Sequence, residues 1–414
     1  MLMPRYLAAM IDLPLVTTSG RVVTKPGYDD ETHLYLELPR EWQPCVPLNP
    51  SVSEVRAALV TMMAPWSAYR FADADSAAGM VSAVVAAVCR PVLDLCPAYL
   101  FDASQQGSGK TKAACALGAL IEGRRPAVTP FAGSSNDDEM RKRMVAGAAD
   151  GLLFHCTDNA TGHLKSSALA AVLTTGRLTD RFLGQSRMVT ADIRALITLT
   201  GNNASIDADL QRRTVVPRID AGINPTHRAY AFCPVSEALK QRRQIAEAVC
   251  CVLRAYFDAG APDTIKGDAG GFADWNRLCR QPVLWLAREG LADGLPWTLG
   301  DPAGSMLADP AAGDPEIEAT GDLLRALHEI ADGAVFTAAD VVKWAGMGQH
   351  AGEGSPFGAL RSAVLECVGR AELTARSMGR VLMNRRDRPT GGWKLLTRAG
   401  HDNTKVWRVV AVGS

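Results

Sequence analysis

Short β-branched apolar runs alternate with longer amphipathic stretches along most of this chain. Residues 1–55 are rich in Pro and β-branched residues and hold short strand-like runs such as 34–38. Helical patterns follow over 53–65 and 75–89. The run LDLCPAYLF (93–101) predicts a buried strand that ends in a Gly-rich turn and then an Ala-rich helix. Further apolar runs, LLFHC (152–156), ALITLT (195–200) and TVVPRI (214–219), are spaced by helical patterns. They predict an α/β fold: a largely parallel sheet with helices on both faces. The pattern is helical again from 237 to 290, with Trp275 and Trp285 on it. The stretch 290–315 is dense in Gly, Pro, Asp and Ala and reads as a linker. A last domain of about 100 residues follows, and no internal repeat is visible.

That last domain has a pattern of its own. Ile317, Leu323, Leu324, Leu327 and Ile330 fall at helical spacing, and Thr337 is placed to cap the next helix, AADVVKWA. A third helical pattern is PFGALRSAVLECV. A fourth, TARSMGRVLMNRRDR, carries Arg376, Arg380, Arg385, Arg386 and Arg388 beside Met378 and Leu382. Pro389 and Gly391-Gly392 stop it, and strand-like runs around Trp393 and Trp407 flank the turn AGHDNT. Helices, a basic helix and a β-hairpin are the parts of a winged helix, whose basic helix enters a major groove while the wing touches backbone. Arg380, Arg385 and Arg386 are the candidate DNA contacts. The domain division is then 1–75, a small N-terminal α+β region; 76–222, the core; 223–300, a helical lid; 301–315, linker; and 316–414, winged helix.

Composition narrows the class. At 414 residues the chain is too long for one ordinary domain. No apolar run reaches the roughly 18 residues of a membrane helix. The start, MLMPRYLAAMIDLPLVTT, lacks the pattern of a secretion signal, so a cytoplasmic protein is expected. Lys plus Arg equals Asp plus Glu at 44 each, which leaves nucleic acid binding to local basic patches. Ten cysteines without CxxC spacing read as reduced, mostly buried thiols, with no zinc site.

Four segments carry candidate chemistry. SQQGSGKT (104–111) sits between predicted strand and helix, the context a phosphate loop requires. Glycines let consecutive N–H groups face phosphates and the helix adds its positive end. Ser104, Gly107, Ser108, Gly109, Lys110, Thr111 and Lys112 form the candidate nucleotide cradle. Lys110 would reach the β- and γ-phosphates of ATP, and Thr111 would ligate Mg2+. The pattern GxxxxGK[ST] wants Gly where this chain has Ser104. In GLLFHCTDNATG (151–162), a buried strand ends in Asp158, placed to support the magnesium water shell. Asn159 stands where a second acid often polarises water, so the base is open; Asp137, Asp138 and Glu139 are the nearest acid cluster, although such clusters at helix starts are commonly caps. ALITLTGNNASI puts Asn202 and Asn203 at a strand end, able to orient water against the γ-phosphate. DLQRRTVVPRID offers Arg212 or Arg213 across a subunit boundary.

Taken in order, GSGKT (107–111), the strand ending in Asp158-Asn159, RFLGQSR (181–187), TGNN (200–203) and DLQRR (209–213) followed by RID (218–220) resemble the helicase core of phage and mobile-element replication proteins. These are superfamily III-like or AAA+ P-loop ATPases, often fused behind a primase. GYDDETHLYL (27–36) and FADWNRLCRQPVLWL (272–286) resemble their flanking segments, and the closing stretch their winged helix. The resemblance implies a ring, of six subunits by analogy, with ATP between neighbours. Lys110 and Thr111 would bind ATP and magnesium and Asp158 support the metal. Asn202 or Asn203 would sense the γ-phosphate, and Arg212 or Arg213 reach the next subunit. A hairpin between the second and third motifs would face the channel, where Arg177, Arg181, Arg187 and Arg194 suit a single-strand backbone. The implied activity is ATP-driven DNA unwinding in replication of a phage, satellite or plasmid in a bacterial host, on single-stranded or forked DNA, with a separate primase or initiator. An AAA+ initiator or loader, or an ATP-gated DNA-binding regulator, uses the same parts.

Overall fold

The structure, a computed structural model, describes residues 6–131, 137–181, 188–220, 232–267, 269–308, 315–349, 351, 355–368, 372–400 and 405–412. The chain divides into two compact units, 1–308 and 309–414.

The first unit is mixed α/β around five strands: β1 (Ala98–Phe101), β2 (Thr129–Pro130), β3 (Phe154–Ala160), β4 (Leu196–Gly201) and β5 (Thr214–Val215). They lie in the order β5-β1-β4-β3-β2, every neighbouring pair parallel. Every residue of β1 and β4 is buried, which is why these runs are apolar without alternation. The run 214–219 yields only a two-residue strand, because Pro217 has no N–H to give a ladder. Helix Lys110–Glu122 packs on β1, β3 and β4. Gly118 lets the Phe154 ring lie against its backbone, where a Cβ would collide. Gly123, at φ 66°, and Arg242 close its C-terminus. Arg242 donates to the carbonyls of Leu120 (2.6 Å) and Ile121 (2.7 Å), which the helix leaves without partners.

Helix Ala74–Cys89 starts at Asp73, whose carboxylate accepts the Ser76 N–H at 2.7 Å. The stretch Ala74–Val92 is long and apolar enough, by length and composition, to cross a membrane. That corrects the expectation that no run reaches this size. Most of it, 83% of its apolar window, is buried inside the unit, so here it is a core helix, apolar all round because protein surrounds it. Helices Val52–Met63 and Arg242–Asp258 pack on one another beside it.

Residues 290–308 are not a free linker. Trp297 Nε1 donates to the Tyr69 carbonyl at 2.8 Å, and Arg280 grips Asp301 with two bonds of 2.8 and 2.7 Å. The Val216 N–H donates to Ser305 Oγ at 2.9 Å. Gly300 and Gly304 are needed for close approach, since a Cβ on either would run into Asp75.

The second unit has its own core, drawn from Leu323, Leu324 and Leu327 of helix Pro315–Ala331, Val341 of Ala338–Met347, Leu360 of Pro356–Val368 and Leu382 of Ala375–Arg385. Leu395, Trp407 and Val409 join it from an antiparallel sheet of Pro389–Thr390, Trp393–Ala399 and Lys405–Ala411. Thr337 caps its helix as expected, in a reciprocal box with Asp340.

Candidate functional site

The chain leaves β1 for β2 at one edge of the sheet and leaves β4 for β5 at the other. Adjacent strands whose connections diverge open a crevice beyond their carboxyl ends, where parallel α/β sheets bind ligands. Residues 102–109 follow β1 and residues 202–204 follow β4 at those ends.

Gly107 (φ 77°) and Gly109 (φ 88°) take the left-handed backbone that turns successive N–H groups inward. Helix Lys110–Glu122 begins there, leaving its first N–H groups without helical partners. Lys110 is nearly buried. Its Nζ donates to the Gln105 carbonyl (3.0 Å), Ser108 Oγ (3.0 Å) and Asn202 Oδ1 (2.7 Å). Burial holds the ammonium below its usual range, opposed by the charges of Asp102 and Asp158. Ser104 is exposed at the loop's start and Lys112 is exposed on the first helical turn.

Thr111 Oγ1 donates to Asp158 Oδ1 at 2.7 Å, and Thr200 Oγ1 donates to the same oxygen at 2.7 Å. Asp158 is aimed by a bulge: between the pairs Thr157–Leu199 and Ala160–Gly201, two residues of β3, Asp158 and Asn159, stand opposite one of β4, Thr200. Asn159, at φ 61°, absorbs the extra residue, and its N–H donates to Thr200 Oγ1 at 2.9 Å. Asn202 Nδ2 donates to Asn159 Oδ1 at 3.3 Å. Of the two candidate asparagines, Asn202 therefore meets Lys110. Asn203 exposes its side chain and ties the loops together by donating its N–H to the Ala103 carbonyl at 3.2 Å.

Two neighbours escape the sequence reading, and a third, Thr200, stands in the TGNN segment with no role read for it. Asp102, wholly buried at the end of β1, accepts the Ala204 N–H at 3.2 Å and faces Arg218 at 3.2 Å. Its only signal is a carboxylate directly after an apolar run. Thr200 looks like any strand threonine. Tyr69, whose hydroxyl donates to the Gly109 carbonyl at 3.0 Å, comes from 40 residues upstream with no motif around it.

Other candidates lie apart from this cluster. Asp137 starts helix Asp137–Ala149 and accepts bonds from Ser166, Ser167 and the Ala168 N–H. Glu139 pairs with Arg143 at 2.8 Å and Asp138 with Arg141 at 3.2 Å. None of the three bonds to Lys110, whose partners are Gln105, Ser108 and Asn202. Arg212 and Arg213 both pair with Asp209. Burial alone would raise the Asp209 carboxyl, but the bonds from Arg213 and Arg212 hold it below its usual range. Arg177 pairs with Asp192 at 2.6 Å across the base of an antiparallel hairpin, Arg177–Arg181 with Met188–Asp192. The side chain of Arg181 and the whole of Arg187 lie outside the described residues. Arg194 sits beside buried Arg90, which donates to the carbonyls of Leu93, Ile193 and Ala195. In the second unit Arg380 is exposed, Arg386 pairs with Asp387 at 3.3 Å, and Arg385 Nε donates to Thr320 Oγ1 at 2.8 Å. Arg385 is thus a brace between two helices.

Chemically, the crevice gathers orphan N–H groups, an ammonium bound only to neutral oxygens, and a carboxylate flanked by two hydroxyls. The first two suit an oxyanion such as phosphate. The oxygen-only set suits a hard cation that keeps most of its water. No group of three His, Cys, Asp or Glu side chains suited to a metal occurs among the described residues.

No family model matches the chain, and no curated protein matches it. Among solved structures, the A form of the apo C-terminal region (305–718) of NrS-1 matches with a TM-score of 0.43 and 11% identity, over 94% of this chain and 83% of that one. A second apo structure of the same region gives a TM-score of 0.37 and 14% identity over the same shares. Likeness of that strength carries no argument about this chain's chemistry.

Proposed function

We propose that the first unit is a P-loop ATPase of the AAA+ or superfamily III-like kind, and that the chain is a ring-forming DNA helicase of replication. One observation carries the reading: Lys110, Thr111, Asp158 and Asn202, from three separate segments, meet in the crevice between β1 and β4. Lys110 exchanges its neutral acceptors for the β- and γ-phosphate oxygens of ATP, since an ammonium bonds charged oxygens about twice as strongly. The free N–H groups of the first turn take up further phosphate charge. Thr111 and Asp158 would hold magnesium, which neutralises charge on the phosphates. Asn202, released from Lys110, turns its amide toward the attacking water. The second unit, three helices followed by helix Ala375–Arg385 and an antiparallel sheet, is proposed as a winged helix that binds DNA.

The test is ATP turnover with and without single-stranded DNA, together with displacement of forked DNA carrying either overhang. Unwinding that requires ATP and is lost in Lys110→Ala supports the helicase. One observation favours an ATP-gated regulator instead: Asn159 occupies the second-acid position and each nearby acid has another partner. DNA-independent binding of ATP with turnover no faster than in Lys110→Ala would decide for that reading.

A further inference from the structure

The peptide joining Gly109 to Lys110 is gripped from outside the loop. The Gly109 carbonyl accepts the Ala113 N–H at 2.9 Å, the first bond of helix Lys110–Glu122. Tyr69 Oη donates to the same oxygen at 3.0 Å. In a trans peptide the C=O and N–H point in opposite directions. Holding the Gly109 carbonyl down along the helix therefore turns the Lys110 N–H out of its N-terminus, as one of the donors no helical carbonyl can satisfy.

Tyr69 is itself held. It is 4% exposed, its N–H donates to the Trp66 carbonyl at 2.9 Å, and its carbonyl accepts the Trp297 indole at 2.8 Å. Its hydroxyl sits so close that a Cβ on Gly109 would lie 3.1 Å from it. Trp66, wholly buried, grips the same helix one turn further on, donating to the Ala113 carbonyl at 3.1 Å. The two aromatics thus brace one helix at two levels, and only the Tyr69 bond fixes the peptide that opens onto the crevice.

We infer that Tyr69 is a positioning residue of the phosphate site: its hydroxyl sets the direction of the Lys110 N–H. The inference rests on the nucleotide-binding reading of that site. It predicts a division of effects between two neighbouring aromatics that general loosening of the helix would not produce.

The test is calorimetric titration of ADP with magnesium into the full chain, alongside thermal melting, for wild type, Tyr69→Phe, Trp66→Phe and Lys110→Ala. Tyr69→Phe keeps the ring and removes one hydrogen bond, and ADP binding should weaken about three- to tenfold. Trp66→Phe should lower the melting temperature yet bind ADP as wild type does below it. If Tyr69→Phe binds like wild type while Lys110→Ala does not bind, the role of Tyr69 is refuted and the site reading stands. Equal weakening by Trp66→Phe also overturns the inference, since bracing alone would then explain both. Failure of the wild-type chain to bind ADP refutes the site reading, and this inference with it.

Discussion

Lys110 and Asn202 are joined by a 2.7 Å hydrogen bond from Nζ to Oδ1, which ties the carboxyl end of β1 to that of β4. On the proposed nucleotide-binding reading, a phosphate that took Lys110 would release Asn202 and free its amide. Asn202→Ala should therefore leave ADP affinity within about threefold while lowering kcat about 100-fold, the scale of losing one preorganised polar contact. Steady-state turnover beside titration checks it. A fall in affinity with kcat unchanged would assign Asn202 to binding alone.

Lys110→Met should abolish ATP hydrolysis without lowering apo stability. Burial depresses the folded-state pKa of Lys110, so folding is disfavoured while the ammonium is protonated, and that penalty lifts only as pH rises toward the unfolded value near 10.4. At neutral pH the penalty is fully present, and an apolar side chain of similar length removes it. Urea melts at pH 7 measure this. A large loss of stability in Lys110→Met would show that its three bonds hold the loop together.

His155, buried on β3, has its pKa lowered to about 4, mainly by desolvation and further by Arg143. It is neutral in the folded chain at pH 7. Below pH 6.5 the unfolded chain gains a proton the folded chain resists, so stability present above 6.5 drains away toward pH 4. The loss at pH 5 should be about 2 kcal/mol. In His155→Gln the difference between urea midpoints at pH 7 and pH 5 should shrink accordingly; an unchanged difference would move the acid sensitivity to other groups.

Much of this site is local in sequence, and that part is legible. The strand before Ser104, the glycines at 107 and 109, and the polar ends of β3 and β4 follow from apolar runs and turn residues. What closes the site is not local. Thr200 meets Asp158 because the sheet sets their strands side by side, and Tyr69 reaches Gly109 from 40 residues upstream. The stretch 290–308 misleads for a different reason: its glycines resemble those of a flexible linker, yet Gly300 and Gly304 exist to admit Asp75. Composition cannot separate a glycine that permits motion from one that permits contact.

In the second unit, Arg385 and Arg380 should part company. Arg385→Ala removes the bond to Thr320 and should cost about 1 kcal/mol of stability. Arg376, Arg380 and Arg388 are exposed and have no hydrogen-bond or ion-pair partner among the described residues. Replacing these three by Ala should leave melting unchanged and weaken duplex DNA binding by the full chain, with a shallower dependence on salt. Unaltered binding across a salt titration would turn that helix from DNA toward a protein partner.

The arginine pair after β4 also divides by burial. Arg213 keeps only 14% of its side chain exposed and spends its guanidinium on Asp209 (2.6 Å) and Thr174 (3.0 Å). Arg212 keeps 60% exposed, which leaves it accessible to a neighbouring subunit in the proposed ring. Arg213→Ala should destabilise the chain by about 1–3 kcal/mol, because it strips bonds from partly buried partners. Arg212→Ala should melt within about 0.5 kcal/mol of wild type and still lose turnover. Mixing inactive Arg212→Ala with inactive Lys110→Ala should restore some activity, since a mixed ring contains boundaries at which both groups are intact. Mixing with Arg213→Ala should not add recovery beyond its own residual activity, because its defect is in folding. Recovery absent across mixing ratios, with mixed assembly shown by differently tagged chains, would place the action of Arg212 inside its own subunit.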